Sequence, residues 1–293
     1  MTERPDADGR GTNWESGRHM RRVLFLGDVV GPVAVDYVCE RMPGLREQYD
    51  VDLAVVNAEN ARRSGPYIRT GFGLSIKVAE RLLDSGVDVI TGGNHSWDGD
   101  MPEVEKVLAH PNVLRPYNMP DGVPGRGVLQ CSIGGEDFTV VNLMSKTAVV
   151  ETTPLFGRWL TEPQRVESVW PAWQSIECSG AVIVDFHGLS INEKQSFAHA
   201  VDGTAAAVLG THTHEPTLPL HLLPGGTALV TDVGMTGATG GVIGIDPAHW
   251  VAEIRGEDCD ALPPYRLASG PVAMGAVLLT LDGSRCTAIE RVS

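Results

Sequence analysis

The chain has 293 residues, 42% of them hydrophobic and 20% charged, with a net charge of −14 at neutral pH. That balance is ordinary for a globular protein, and the length suits one large α/β domain or two small ones. No apolar run reaches the roughly 18 residues of a membrane helix, and so acidic a surface disfavours long nucleic acids, which need clustered Lys and Arg.

Residues 1–20 are polar and Gly-rich and lack the apolar stretch of a signal peptide, so they read as a disordered leader, with 21–293 as a single domain. A strand over 22–26 leads into Gly27-Asp28, and Pro32 opens a helix to Tyr49 with Val35, Val38, Cys39, Met42 and Leu45 at helical spacing. The next strand, 53–56, ends in Asn57-Ala58-Glu59-Asn60 and completes a β-α-β unit, which calls for a parallel pair and a right-handed crossover. A loop bearing Arg62, Arg63 and Arg69 comes before a helix expected over 72–83. A short apolar strand over 87–90 then delivers Gly93-Asn94-His95.

A short helix is expected over 101–109, then a proline-rich irregular stretch over 110–126 and strands over 127–131 and 138–143 around a Gly134-Gly135 turn. The stretch 161–177 reads as a helix that Pro171 must kink or split. Strand 181–186 delivers His187, a helix follows over 193–200, strand 205–209 delivers His212 and His214, and strand 227–231 delivers Asp232. Segments 272–281 and 287–292 read as an antiparallel hairpin around Asp282-Gly283. Trp159, Trp170 and Trp173 suit a core or an interface between copies of the chain. Five scattered cysteines, odd in number and without a CxxC pair, argue against a disulfide framework and for a reducing cytoplasm.

Several strands therefore end in groups that can hold a metal: Asp28, Glu59 with Asn60, Asn94 with His95, His187, and His212 with His214. Any one of them alone is better explained as a helix cap or a core histidine. In a parallel-leaning sheet, however, all these ends lie on one edge, where ligands bind. Oxygen and imidazole donors without thiolate suit Mn, Fe or Zn. In extended backbone His212 and His214 leave on the same face and can serve one metal or two neighbouring ones.

Together the motifs resemble the calcineurin-like metallophosphoesterases, and more closely their YmdB-like branch, over nearly all of 22–292. They are Gly27-Asp28-Val29-Val30-Gly31, Val56-Asn57-Ala58-Glu59-Asn60-Ala61, Gly93-Asn94-His95-Ser96-Trp97-Asp98, Asp185-Phe186-His187, Gly210-Thr211-His212-Thr213-His214 and Thr231-Asp232-Val233-Gly234-Met235-Thr236-Gly237. The resemblance implies a four-layer α/β/β/α sandwich with mixed sheets and two divalent metal ions, Fe or Mn first and Zn as the other choice. It assigns Asp28, Asn60 and His214 to one ion, Asn94, His187 and His212 to the other, Glu59 to both, and the general-acid role to His95. The implied activity is hydrolysis of a small, nucleotide-like phosphate ester by an activated water, foremost as a cyclic-nucleotide phosphodiesterase. A phosphatase acting on a nucleoside 5′-phosphate is the alternative, and a non-catalytic nucleotide-binding regulator the rival of another class. Only Asp28 and Glu59 bring negative charge to such a centre, so it stays cationic within an acidic protein and attracts phosphate.

Two segments depart from the family pattern. Gly188-Leu189-Ser190-Ile191-Asn192-Glu193-Lys194 keeps only the Glu-Lys of the usual run. The loop after Asn60 adds Arg62, Arg63 and Arg69, which are either solvated or include one that grips a phosphate or carboxylate bidentately.

Overall fold

The computed structural model describes residues 20–62, 72–149, 166–263 and 266–292. Apolar strands and amphipathic helices alternate through β1 (Arg21–Leu26), α1 (Gly31–Tyr49), β2 (Leu53–Asn57), α2 (Ile76–Asp84), β3 (Val89–Thr91) and α3 (Met101–Leu108). Antiparallel β4 (Val128–Ile133) and β5 (Glu136–Met144) come next, followed by α4 (Val169–Gln174), β6 (Ala181–His187), α5 (Ile191–Ala200) and β7 (Ala207–Thr211). Short β8 (His221–Leu222), β9 (Ala228–Val230), β10 (Gly237–Ala238), α6 (Ala248–Arg255) and β11 (Val272–Ala273) precede the closing hairpin of β12 (Ala276–Asp282) and β13 (Arg285–Val292).

Among the described residues the strands form two large sheets, ordered β13-β12-β1-β2-β3 and β4-β5-β6-β7-β9-β8. Both are mixed. In the first, β1, β2 and β3 are parallel and the hairpin is antiparallel to them. In the second, β5, β6, β7 and β9 are parallel between antiparallel edge strands β4 and β8.

Alternation along the strands sorts the core into three slabs. Val23 and Phe25 of β1 meet Leu53, Phe138, Ile183 and Leu209 between the sheets. Leu24 and Leu26 face the other way, onto Val35, Val38 and Met42 of α1 and Leu82 of α2. The far face of the second sheet, through Val182, Val184 and Phe186, packs on Phe197 of α5 and Val169 of α4. The layers are thus helix, sheet, sheet, helix, as expected.

The differences from the expected elements have local causes. α2 begins at Ile76 rather than 72, because the residues before it bond elsewhere. The Phe72 N–H donates to Asp98 Oδ2 (3.0 Å), the Gly73 carbonyl accepts from the Arg62 N–H (2.8 Å), and Ser75 Oγ caps the helix by accepting from Val78 N–H (3.4 Å). Of the helix expected over 161–177, only Val169–Gln174 forms among the described residues. Pro171 lies in its first turn, where a missing N–H costs nothing, so it neither kinks nor splits the helix. The strand expected over 272–281 is two strands, broken at Met274-Gly275, where a Cβ on Gly275 would lie 2.2 Å from the Gly234 carbonyl oxygen. Trp170 is exposed, and Trp173 packs edge-on against Phe197 with ring centroids 5.5 Å apart. Trp159 and residues 1–19, which hold nearly all of the expected leader, lie outside the described residues. No described helix is long and apolar enough to cross a membrane.

Candidate metal centre

Parallel strands of both sheets place their carboxyl ends along one edge, and the residues just past those ends face one another. Asp28 follows β1, Glu59 and Asn60 follow β2, Asn94 and His95 follow β3, His187 ends β6, and His212 and His214 follow β7. Asp28, Glu59, Asn60, Asn94, His187 and His214 are buried, and His212 is half-buried.

Three donor atoms converge on one nitrogen. His187 Nε2 lies 2.8 Å from Asn94 Oδ1, 3.0 Å from Glu59 Oε1 and 3.0 Å from His212 Nδ1. A single N–H can serve one such acceptor well, whereas a cation serves several lone pairs at once. Glu59, His187 and His212 form a group whose ligand atoms all lie within 4.8 Å of one another, enough to hold a metal ion. Close approach is possible because Gly93 has no side chain: a Cβ there would sit 2.3 Å from His187 Nε2 and 2.4 Å from Glu59 Oε2.

The tautomer of His187 follows from its other face. Thr211 Oγ1 donates to Asp185 Oδ1 (2.7 Å), so it accepts from His187 Nδ1–H (2.9 Å) and leaves the lone pair on Nε2. Asp185 is itself held by Thr91 Oγ1 (2.5 Å) and Asn57 Nδ2 (2.9 Å). Burial pushes its carboxyl up to about 6 against the pull of His187 and these donors. Burial opposes charge on His187 too, but Glu59, then Asp28 and Asp185, outweigh it and raise the ring's proton affinity. The same burial would raise Glu59, yet His187 and His95 hold it below the usual carboxylate range. The group therefore favours positive charge at the point where a metal would replace the proton. His212 is held well below the ordinary histidine range by burial, then by His187 and His214, which favours the neutral ring that a metal would need.

A second set adjoins the first. Asp28 Oδ2 accepts from the His212 N–H (3.0 Å), while Asp28 Oδ1 and Asn60 Oδ1 are buried with no hydrogen-bond partner among the described residues. His214 Nδ1–H donates to the Ile243 carbonyl (2.8 Å), so Nε2 keeps its lone pair, 3.8 Å from Asp28 Oδ1. Two orphaned oxygens and a lone-pair nitrogen are the donors a hard or borderline cation takes. The backbone here is not extended as expected: His212 has φ 100° and His214 φ 66°, in the left-handed region. A Thr211–His214 turn, rather than strand alternation, orients the two rings.

His95 stands beside this group. Its N–H donates to Glu59 Oε2 (2.8 Å), its Nδ1 lies 2.8 Å from Asp98 Oδ2, and its ring lies 4.8 Å from that of Phe72. Burial works against a charged ring, but Asp98 and then Glu59 outweigh it and raise the affinity of His95 for its proton. Arg62 is half-buried, and its Nη1 lies 2.0 Å from where a Cβ on Gly99 would sit. Arg63 and Arg69 lie outside the described residues.

The sequence alone gives no role to Asp98, Thr211 or Asp185. Asp98 falls three residues after His95, a spacing that a tight turn can close; Asp185 and Thr211 lie on neighbouring strands whose register the sequence does not reveal.

The sequence matches the YmdB-like protein family across residues 24–292. It is 34% identical over 275 residues to the 2′,3′-cyclic-nucleotide 2′-phosphodiesterase of Bacillus subtilis strain 168, covering 92% of this chain and 96% of that one. A crystal structure of a hypothetical protein from Thermus thermophilus superposes with a TM-score of 0.75 at 35% identity, covering 92% of this chain and 96% of that one. A structure described as a novel phosphatase from Mycoplasma pneumoniae gives 0.78 at 27% identity, covering 93% and 92%.

Proposed function

The chain belongs to the YmdB-like family and is a phosphoesterase; from that premise we propose that it opens a cyclic nucleotide at a centre of two divalent metal ions. The observation that carries the reading is the convergence of Glu59, Asn94 and His212 on His187 Nε2, all within 3.0 Å. Asp28, Asn60 and His214 would hold one ion, Asn94, His187 and His212 the other, with Glu59 shared. When bound, the ions supply neutralisation of the phosphate charge and an activated water. Iron or manganese suits these oxygen and imidazole donors best, with zinc next. Five free thiols fit a reducing compartment such as the cytoplasm.

The chain's own residues complete the chemistry. Thr211, backed by Asp185, keeps a lone pair on His187 Nε2. Asp98 takes Nδ1 of His95 and favours the imidazolium, which leaves Nε2–H as the proton given to the departing ribose oxygen. Arg62, whose Nη1 is buried with no hydrogen-bond partner among the described residues, is proposed to meet the phosphate.

The name of the Bacillus subtilis relative supports the diester reading. The phosphatase description of the Mycoplasma pneumoniae structure supports a second one, phosphomonoester hydrolysis. Chromatography of the products decides between them, using manganese-loaded protein with a 2′,3′-cyclic nucleotide or a nucleoside 5′-phosphate. A nucleoside monophosphate formed from the cyclic ester without inorganic phosphate is expected. Inorganic phosphate from the 5′-phosphate, with the cyclic ester untouched, would move the assignment to the phosphatase. Metal-loaded protein that binds nucleotide and turns over neither would make it a regulator.

A further inference from the structure

Lys194 and Asp232 have no part in the chemistry above, yet they meet directly behind the turn that carries His212 and His214. Lys194, in the first turn of α5, is 1% exposed. Its ammonium donates to the Thr211 carbonyl at 2.8 Å and lies 3.6 Å from Asp232 Oδ2. Asp232 is also buried; Oδ2 accepts from the Thr213 N–H at 3.0 Å and Oδ1 from the Gly234 N–H at 2.8 Å. The two charged groups thus grip the backbone on either side of His212, by the carbonyl before it and the amide after it. Asp28 takes the His212 N–H at 3.0 Å, and the Met235 N–H takes the His214 carbonyl at 2.9 Å.

This turn needs holding. Residues with a Cβ are uncommon at positive φ, and both histidines are there, His212 at 100° and His214 at 66°. A rotation of either peptide would swing a ring nitrogen away from its partners. The charges matter as well as the hydrogen bonds. A lone buried ammonium behind a cation site would repel the cations, and a lone carboxylate would tend to draw the turn or a metal toward itself. Paired, they cancel. Buried ion pairs often add little net stability over neutral groups of the same size, so stability alone gives a weak account of this one.

We propose that Lys194 and Asp232 are positioning residues: a charge-neutral clasp that fixes the 211–214 backbone so that His212 and His214 present their ring nitrogens to the metals. The proposal rests on the reading of those two histidines as ligands. It also gives work to Lys194, one of the two residues retained from the family run after His187, and to Asp232 in the Thr231–Gly237 motif.

The test replaces both charges in the full-length protein, as Lys194→Met with Asp232→Asn, and reads three quantities beside the wild type. These are manganese affinity by competition with a chelator, thermal unfolding of the metal-free protein, and the visible spectrum of the cobalt-loaded protein. The expected result is an affinity about 10–100-fold weaker, a changed cobalt spectrum, and metal-free unfolding within a few degrees of wild type. Unchanged affinity and spectrum overturn the proposal. So does an affinity loss no larger than the fall in metal-free stability explains, since that marks a purely structural pair. Asp232→Asn alone, which leaves the ammonium uncancelled, is read by the same competition if the double variant does not fold; its affinity must fall, and an unchanged value overturns the clasp. Wild-type protein that binds no metal would instead defeat the two-metal reading, so the two failures are distinct.

Discussion

One carboxylate holds the ring of His95. Asp98 Oδ2 lies 2.8 Å from Nδ1 and also accepts the Phe72 N–H at 3.0 Å, so it orients the imidazole and favours its protonated form. Burial raises the Asp98 carboxyl, His95 opposes that rise, and the pair holds a proton between them. Asp98→Asn should keep bound metal while lowering turnover of an ester with an alkoxide leaving group by about 10–100-fold. His95→Ala should cost about 10²–10⁴-fold on the same substrate. Both losses should shrink on a p-nitrophenyl ester, whose leaving group needs no proton; equal losses on the two substrates would count against the acid role. Gly93 makes a different prediction. A methyl group there would occupy the space between His187 and Glu59, so Gly93→Ala should lose metal, measured as metal content per folded chain.

At the scale of elements, the strands that deliver the site were legible because buried parallel strands are continuous apolar runs, and their polar last residues stand out against them. Arg21–Leu26, Leu53–Asn57 and Ala181–His187 fall within a residue or so of expectation. The start of α2 was not legible, since Phe72 and Leu74 fit a helical stripe. The contact that removes them from it, Phe72 to Asp98, spans 26 residues. Ser75→Ala should therefore destabilise the protein by up to about 1 kcal/mol, as loss of a cap does, with metal content unchanged; thermal unfolding against metal analysis checks both. The two-residue strands β8 and β10 and the helix α6 carry too little periodicity to be read. In the site, residue types and their order were legible, whereas the Thr211–Asp185 support behind His187 depends on strand register and was not.

Over the whole molecule, the proposed metal centre would tie both sheets together, since Asp28, Glu59 and Asn94 come from one and His187, His212 and His214 from the other. Metal binding should then stabilise the entire fold. A free ion at a hundred times its dissociation constant contributes about 2.7 kcal/mol, and the unfolding temperature should fall on dialysis against a chelator and return with manganese. Protons compete for the same nitrogens. Because Glu59 raises the proton affinity of His187, metal affinity should begin to fall above the ordinary histidine value of 6.5 as the pH drops, a shift that titration with a metal-sensitive dye will read.

The pairing of β1 with β12 has a consequence in time. Arg22 lies opposite Thr280, 258 residues later, and the Gly27 N–H that precedes Asp28 donates to the Gly275 carbonyl at 2.9 Å. During synthesis at about 5–20 residues per second, β1 waits on the order of tens of seconds for that neighbour. For that interval one flank of β1 is an open edge, and the Gly27 N–H beside Asp28 lacks its Gly275 acceptor. Ribosome-bound chains halted before residue 272 should take up no metal, and the centre should form only once the closing hairpin has left the exit tunnel.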